Sequence, residues 1–318
     1  MTAVEQSLAY ARKHFPEGPE KLAEHLGVEI RLSPLSGCDG WCLSAGQRAI
    51  IRINSGIGKA RQRFTLAHEL GHLLLGVPSV IGESLGDVLR SGDEEERQVN
   101  DIAAELLVPR DVVQATVRDL PVVASVLRRL AKHAHVSELA AALRVANLAA
   151  DVGLQNASVV FFEGDSVSWQ WSQTLMTMPE QTAISLRDSA REASPSPFRH
   201  LRRSERDVVV ASLIENPFFG SATMFVQLLP MEYGSQKSRE ERRAELERYL
   251  FAGQERFQRQ LQGCFGAFKP RVTGMSLAQA EKLFWERYES RFADVAKRRL
   301  SSVQGREYVR LRLEEWSG

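Results

Sequence analysis

The feature that most constrains this chain is the pattern His68-Glu69-Leu70-Gly71-His72, which lies inside a stretch of helical periodicity. Residues four apart share one face of a helix, so both imidazoles can reach one ion. Glu69 is rotated by about 100° from His68. Its carboxylate therefore stands beside the ion, where it can take a proton from bound water. The spacing predicts His68 and His72 as zinc ligands and Glu69 as the general base.

The residues around this pattern predict a helix over Lys59 to Leu75 that is buried on one side. Its apolar positions recur at helical spacing, and they are Leu66, Leu70, Leu73 and Leu74. Gly76 and Pro78 follow in the order that ends a helix. A solvated surface helix with two exposed histidines is the alternative interpretation, and the continuous apolar face argues against it.

A catalytic zinc site usually has three protein ligands and one open position, so a third ligand must come from elsewhere. Glu96 begins the next amphipathic helix, over Glu96 to Leu107, and is the candidate. Asn100 follows one turn later and is predicted to accept the outer N–H of a ligand histidine. Glu94 and Glu95 remain alternatives for the third ligand. Mn²⁺ is an alternative to Zn²⁺ at a site of two histidines and one carboxylate.

The periodicity along the chain predicts an α+β fold with a domain boundary near residue 150. Helical and strand-like segments alternate up to about residue 115, and residues 116–150 read as helices. A period of two then begins near residue 155, before charged helical stretches at 237–262 and 276–314. We therefore expect an N-terminal domain over residues 1–115, a helical segment over 116–150 and an α+β domain over 151–318, with a possible sensor or partner-binding role.

Composition narrows the classes of partner. The chain has 41 basic and 40 acidic residues, which gives no global attraction to nucleic acid or anionic membranes. No stretch approaches the roughly 20 apolar residues that span a bilayer, and the N-terminal residues do not resemble a secretion signal. The three cysteines, Cys38, Cys42 and Cys264, predict free thiols in a cytoplasmic protein. The interpretation of Cys38 and Cys42 as half of a metal site is disfavoured, because no second pair of Cys or His residues follows at a suitable distance.

Two further regions could suggest contact with nucleic acid. Residues 130–144 resemble a helix-turn-helix stretch, but the second helix carries Arg144 alone among apolar residues, which favours a packing role. Basic clusters in the C-terminal half are balanced by acids, since residues 151–318 hold 24 Lys/Arg and 22 Asp/Glu, or 24 − 22 = +2. No nucleic-acid-binding residue is predicted. The four aromatic residues of this half that are expected in the core are Trp169, Trp171, Phe218 and Phe219.

Two segments of the chain resemble the signatures of the ImmA/IrrE metallopeptidases. Residues 61–72, RQRFTLAHELGH, look like the helix that carries the family's paired histidines, and residues 96–109, ERQVNDIAAELLVP, look like its second signature. Val99 and Ile102 stand where the family usually has Ala and Phe. The resemblance covers about residues 5–115. It implies a zincin-like N-terminal domain, a prokaryotic or phage cytoplasmic protein, and a helix-turn-helix repressor as the protein substrate, whose cleavage switches on mobile-element or stress genes.

These observations support one main functional hypothesis, a zinc-dependent endopeptidase that cleaves a regulatory protein. The alternative is a non-catalytic regulator that binds DNA or a partner and keeps zinc as a structural staple. The intact Glu69 argues against it, because a structural site needs no base. A metallo-hydrolase of small amides is a third possibility. No residue that would stabilise an oxyanion is identified, and Tyr10 is interpreted as a helix-face aromatic.

Overall fold

The protein is described by a computed structural model for residues 2–45, 48–77, 94–154, 156–173, 177–194, 196–201, 207–230, 237, 239–272 and 274–316. These residues form an α+β fold with two sheets and thirteen α-helices. The chain divides into two compact units, residues 1–235 and 236–318. This division differs from the expected one, because the boundaries near residues 115 and 150 both fall inside the first unit.

The first unit begins with two short helices and a three-stranded sheet. The elements are α1 (Ala3–Lys13), α2 (Gly18–His25), β1 (Val28–Ser33), β2 (Gly40–Ala45) and β3 (Arg48–Asn54). The strand order is β1-β3-β2, with β1 parallel and β2 antiparallel to β3. Cys42 on β2 pairs with Ile51 on β3, which is fully buried. Directly paired side chains share a face, so Cys42 lies on the core face of the sheet.

One long helix packs on that face, and a second long helix packs against the first. Helix α3 (Lys59–Leu75) has the predicted bounds and ends at Gly76, whose φ of 69° supplies the left-handed cap that a Cβ would disfavour. Helix α4 (Glu94–Leu107) begins two residues earlier than predicted. The polar sequence of residues 82–95 predicts a loop. Residues 82–93 of it lie outside the described residues, while Glu94 and Glu95 belong to α4.

The rest of the first unit adds a five-stranded sheet with helices on both of its faces. The elements are α5 (Arg110–Thr116), α6 (Ala124–Ala134), α7 (Glu138–Asn147), β4 (Asn156–Glu163), β5 (Ser166–Ser172), α8 (Glu180–Ala193), β6 (Phe198–Leu201), β7 (Asp207–Asn216) and β8 (Ser221–Pro230), with short 3₁₀ turns between some of them. The strand order is β5-β4-β8-β7-β6, with antiparallel pairing throughout. The sequence pattern does not predict helix α8 or strand β6.

Long-range contacts join the helical segment and the second sheet to the N-terminal elements. The backbone of Val122 donates to Gln227 Oε1 at 2.8 Å, and its carbonyl accepts from Gln227 Nε2 at 2.6 Å and from Ser212 Oγ at 3.2 Å. Gln227 is fully buried. The apolar core is continuous from Ala11 to Leu229. The helical segment and the second sheet therefore share one core with the N-terminal elements.

The aromatic residues of the second sheet divide between core and surface. Trp169 and Trp171 are half-buried and pack against the main core. Phe218 and Phe219 lie in the turn between β7 and β8 and are 92% and 78% exposed. The prediction that these two phenylalanines belong to the core is wrong, because the turn places both side chains beyond the edge of the sheet.

The second unit is helical. It consists of α9 (Arg239–Phe251), α10 (Glu255–Phe268), α11 (Leu277–Tyr288), α12 (Asp294–Ser301) and α13 (Val303–Glu314), joined in part by 3₁₀ turns. Aromatic rings fill its core, and Tyr308 is one of the largest fully buried side chains. Arg242 forms two hydrogen bonds with Glu307, at 2.6 and 2.7 Å. Arg243 pairs with Glu240 and Glu315. Arg242 and Arg243 form one of the basic clusters of the C-terminal half, and both pair with acids of the helical unit. Arg202 and Arg203, from another of these clusters, lie outside the described residues.

Two expectations from composition can be compared with the structure. The three cysteines are free, with Cys38 and Cys42 half-buried and Cys264 buried. Within the described ranges, the helices are all too short or too polar to cross a bilayer.

Candidate metal centre

Helix α3 and helix α4 together bury four titratable side chains. His68, Glu69 and His72 are 6%, 4% and 2% exposed, and Glu96 is 5% exposed. Burying such groups costs several kcal/mol unless partners compensate, so they do not collect in a core by chance. Of the three acids considered as third ligand, the structure brings in Glu96 and leaves Glu94 and Glu95 on the exposed side of α4.

Three of these side chains converge on one point. His68 Nε2 lies 3.2 Å from His72 Nε2 and 3.6 Å from the nearer oxygen of Glu96, and His72 Nε2 lies 3.4 Å from the other Glu96 oxygen. Ligands of a tetrahedral zinc stand about 2.0–2.2 Å from the ion, which places them about 3.3–3.5 Å from one another. His68, His72 and Glu96 therefore fit one tetrahedral ion, and among the described residues they form the one cluster with metal-binding geometry.

The protonation of the histidines also fits a cation. Burial lowers the pKa of His68 to about 4, and the neighbouring His72 lowers it further, against a raising contribution from the hydrogen bond to Asn100. Burial lowers the pKa of His72 as well. Both imidazoles are therefore neutral near pH 7, which is the form that binds a metal.

Outer contacts orient the His68 ring. The structure places Asn100 Oδ1 3.1 Å from His68 Nδ1, the nitrogen that faces away from the cluster. A proton on Nδ1 would be donated to the amide oxygen and leave Nε2 free to bind an ion. His72 Nδ1 is buried and has no hydrogen-bond partner among the residues that the structure describes.

Glu69 lies next to the cluster on the side of the first sheet. Its charge contributes, after burial, to raising the pKa of the Cys42 thiol to about 11. Cys42 is on the core face of β2, so the carboxylate of Glu69 is within electrostatic reach of that strand. The sequence places Glu69 beside the paired histidines, and the structure buries it there.

The entry into α3 is fixed by amide side chains. Asn54 Nδ2 donates to the carbonyls of Leu35 and Cys38, at 3.0 and 3.2 Å, and Asn54 Oδ1 accepts from Gly56 N at 2.9 Å. Gln62 Nε2 in turn donates to the carbonyl of Asn54 at 3.2 Å. These bonds hold the segment before β2, the end of β3 and the first turn of α3 together. Sequence reasoning missed these residues, since only their amide side chains hint at such a role.

The far end of α4 is held by charge pairs. Glu105 accepts from Arg12 at 2.8 Å and also binds Arg144, whose Nε donates to the carbonyl of Val108 at 2.8 Å. Arg144 is 8% exposed. The basic residue of α7 therefore ties α7 to α4, in agreement with the packing role expected for residues 130–144. Tyr10 stacks on His25, with ring centroids 4.2 Å apart, as a helix-face aromatic.

Comparisons with known proteins converge on the same region. Residues 23–146 match the family model Peptidase_M78, described as an IrrE N-terminal-like domain. A radiation response metalloprotease IrrE of Deinococcus radiodurans is 35% identical over 120 residues, which cover 35% of this chain and 34% of that protein. A protein of the same name from Deinococcus deserti is 25% identical over 179 residues, covering 55% of this chain and 62% of the relative. The chain thus spans about a third and about three fifths of the lengths of these relatives.

One solved structure, of a Mycobacterium tuberculosis transcriptional regulator, covers 72% of this chain and 77% of its own at 12% identity. Its TM-score of 0.46 is too low to support an inference about fold or function. The family match, the named relatives and the buried His-His-Glu cluster agree on a metal-dependent peptidase domain. Residues 23–146 are therefore an IrrE N-terminal-like domain, similar to the metalloprotease domain of these relatives.

Proposed function

We propose that the protein is a zinc-dependent endopeptidase that cleaves a regulatory protein. The observation that carries this proposal is the spacing of the ligand atoms: His68 Nε2 and His72 Nε2 are 3.2 Å apart, and each lies 3.4–3.6 Å from one of the two Glu96 oxygens. Three protein ligands with a fourth position left for water is the arrangement of catalytic zinc sites, whereas structural sites are closed by four protein ligands. Mn²⁺ also binds such a donor set, so metal analysis is part of the test.

Each residue of the site would have a separate role in peptide-bond cleavage. Zinc at this site would lower the pKa of water and polarise the carbonyl of the peptide bond. Glu69 would accept a proton from the attacking water and deliver it to the leaving amine. His68, oriented by Asn100 at 3.1 Å, would keep Nε2 directed at the ion. Burial of all four groups excludes bulk water and so strengthens each electrostatic contact.

The proposed substrate is a helix-turn-helix repressor whose cleavage releases stress or mobile-element genes. The name radiation response metalloprotease, carried by both relatives, supports a regulatory role of this kind. The support is for the class of substrate, since the alignments cover a limited part of each relative.

A comparison of protein N-termini in cells tests the proposal even when the substrate is unidentified. Cells that express the wild-type chain are compared with cells that express the Glu69→Gln variant, and new N-termini are labelled and sequenced. We expect new N-termini within a helix-turn-helix repressor in the wild-type sample alone. The purified variant should bind metal as wild type does and cleave that repressor at least about 100-fold more slowly. Equal cleavage by the two proteins, or an unchanged set of N-termini, would refute the proposal.

The non-catalytic regulator receives less support. A DNA reader of the helix-turn-helix kind presents basic or amide side chains on its second helix. In this chain the basic residue of α7, Arg144, is buried against Glu105 and Val108. It is therefore not available to phosphates or base edges.

A further inference from the structure

Gly71 lies between the paired histidines of α3, where that helix contacts α4. A Cβ atom built on Gly71 would stand 2.9 Å from the carbonyl oxygen of Val99 and 3.1 Å from Val99 Cγ1. Ordinary van der Waals contact begins near 3.4 Å, and real Cβ atoms essentially never approach below 3.0 Å. The two helices therefore lie at a separation that only glycine at position 71 permits.

We propose that Gly71 is a positioning residue for the metal site. Its missing side chain sets the spacing of α3 and α4, and that spacing brings the carboxylate of Glu96 within bonding range of an ion held by His68 and His72. The inference rests on the proposed metal site and adds to it a residue that binds no metal itself.

Helix propensity offers no other reason for glycine at this position. Glycine in a helix interior costs about 0.5–1 kcal/mol relative to alanine. Gly71 has no positive φ, so its backbone conformation is open to any residue. The close approach of Val99 is the feature of the described structure that offsets the cost.

The atom nearest to the added Cβ is a backbone carbonyl, which cannot turn aside. Val99 is fully buried, and its carbonyl lies within the hydrogen-bond ladder of α4. Relief of the clash therefore requires α3 and α4 to move apart. Glu105 holds one end of α4 through Arg12 and Arg144, so the movement falls on the end that carries Glu96.

The size of the movement exceeds what a metal site tolerates. Val99 lies six residues from Glu105 and Glu96 lies nine, or about 9 Å and about 13 Å along the helix axis. Moving the Val99 carbonyl from 2.9 Å to 3.4 Å would then displace Glu96 by about 0.7 Å. Metal–ligand distances are held within about 0.2 Å.

Zinc affinity of the full chain, measured by competition with a chromogenic chelator, tests the inference. Gly71→Ala should weaken zinc binding at least about tenfold, as loss of an orienting contact does. Gly263→Ala is the matched control, since Gly263 is in a helix interior and a Cβ there meets nothing within 4 Å. The control should bind zinc within about twofold of wild type. A folded Gly71→Ala variant that binds zinc as wild type does would overturn the inference.

A second variant keeps the test decisive if Gly71→Ala does not fold. Val99→Ala removes the 3.1 Å contact and leaves the 2.9 Å contact with the carbonyl. The double variant should therefore fold more readily and still bind zinc at least about tenfold more weakly than Val99→Ala alone. Equal affinities of these two would overturn the inference.

Glu96→Ala separates failure of the inference from failure of the site. If Glu96→Ala loses affinity and Gly71→Ala does not, the role of Gly71 is refuted and the metal site stands. If Glu96→Ala binds zinc as tightly as wild type, the site itself is refuted, and the role of Gly71 with it.

Discussion

The two ends of helix α4 each carry a carboxylate, buried at Glu96 and partly buried at Glu105, in opposite surroundings. Glu105 faces the guanidinium groups of Arg12 and Arg144, which carry permanent positive charge. Glu96 faces two imidazoles whose pKa burial has lowered, so that they are neutral near pH 7. The cluster at Glu105 contains its own countercharges, while His68, His72 and Glu96 together bring none. A polar cluster whose positive and negative charges cancel is therefore structural, whereas a cluster with a carboxylate and no positive charge is suited to bind a metal cation.

The largest effect on the free energy of unfolding is expected at Glu105, at the C-terminal end of helix α4. Glu105→Ala leaves Arg144, whose side chain is 9% exposed, without its carboxylate, and breaking a buried pair costs about 3–5 kcal/mol. Urea denaturation should show this loss. Glu94→Ala is the control on the same helix, because its pair with Arg97 is more than 60% exposed and contributes at most about 1 kcal/mol. Similar unfolding free energies for the two variants would remove the contrast between buried and exposed pairs.

Glu96→Ala should weaken zinc binding and leave the zinc-free protein folded. Structural zinc sites bind with about 10–16 kcal/mol over four ligands, so loss of one ligand is expected to cost about 2.5–4 kcal/mol of zinc affinity, or roughly 70- to 900-fold. The zinc-free variant should stay folded, because His68 and His72, which contact Glu96, are neutral near pH 7. Metal titration and circular dichroism check the two halves of this statement. If Glu96→Ala unfolds without metal while Glu105→Ala stays folded, the assignment of a metal-binding role to Glu96 and a structural role to Glu105 is contradicted.

Acid should destabilise the zinc-free protein through protonation of His68 in the metal site. The folded pKa of His68, about 4, is below its ordinary value of 6.5, so the unfolded chain binds more protons between these values. Stability is therefore full above about pH 6.5 and falls as the pH drops toward 4, by about 3 kcal/mol from this group. Unfolding of chelator-treated wild type and His68→Asn across pH 4–7 measures the difference. Parallel pH profiles would show that His68 titrates normally.

The smallest effect is expected at Asn100. Asn100→Ala removes the acceptor 3.1 Å from His68 Nδ1, and loss of such a partner weakens metal binding by about 10–100-fold. Asn100→Asp keeps an acceptor at the same position and should lie closer to wild type. Zinc affinities of the two variants check the ranking. An alanine variant with unchanged affinity would mean that the contact does not orient the ring.

Helix α3 is predictable because its determinants are local. The apolar face and the Gly76 cap fix its bounds, and the four-residue spacing puts His68 and His72 on one face. Glu96 and Asn100 lie on a separate helix, and local periodicity cannot fix how two helices meet. The ligand count and a shared helix face make these two residues candidates, and the structure supplies the distances.

The features that could not be predicted depend on contacts between distant segments. Gln227 binds the backbone of Val122 across 105 positions, and this bond joins regions that the sequence pattern separates. The approach of Val99 to Gly71 is of the same kind. The exposure of Phe218 depends on where the β7–β8 turn projects beyond the sheet, which the aromatic character of the residue does not show.

X-ray absorption spectroscopy of the zinc-loaded full chain tests the central claim most directly. A metal held between α3 and α4 predicts one zinc ion per chain with nitrogen and oxygen ligands alone, at about 2.0–2.2 Å. Glu96→Ala should lose the carboxylate oxygen of Glu96 from that signal, while Glu105→Ala, where it remains folded, should retain the wild-type signal. Sulfur scatterers near 2.3 Å, from any of the three free cysteines, would place the zinc elsewhere and contradict the account.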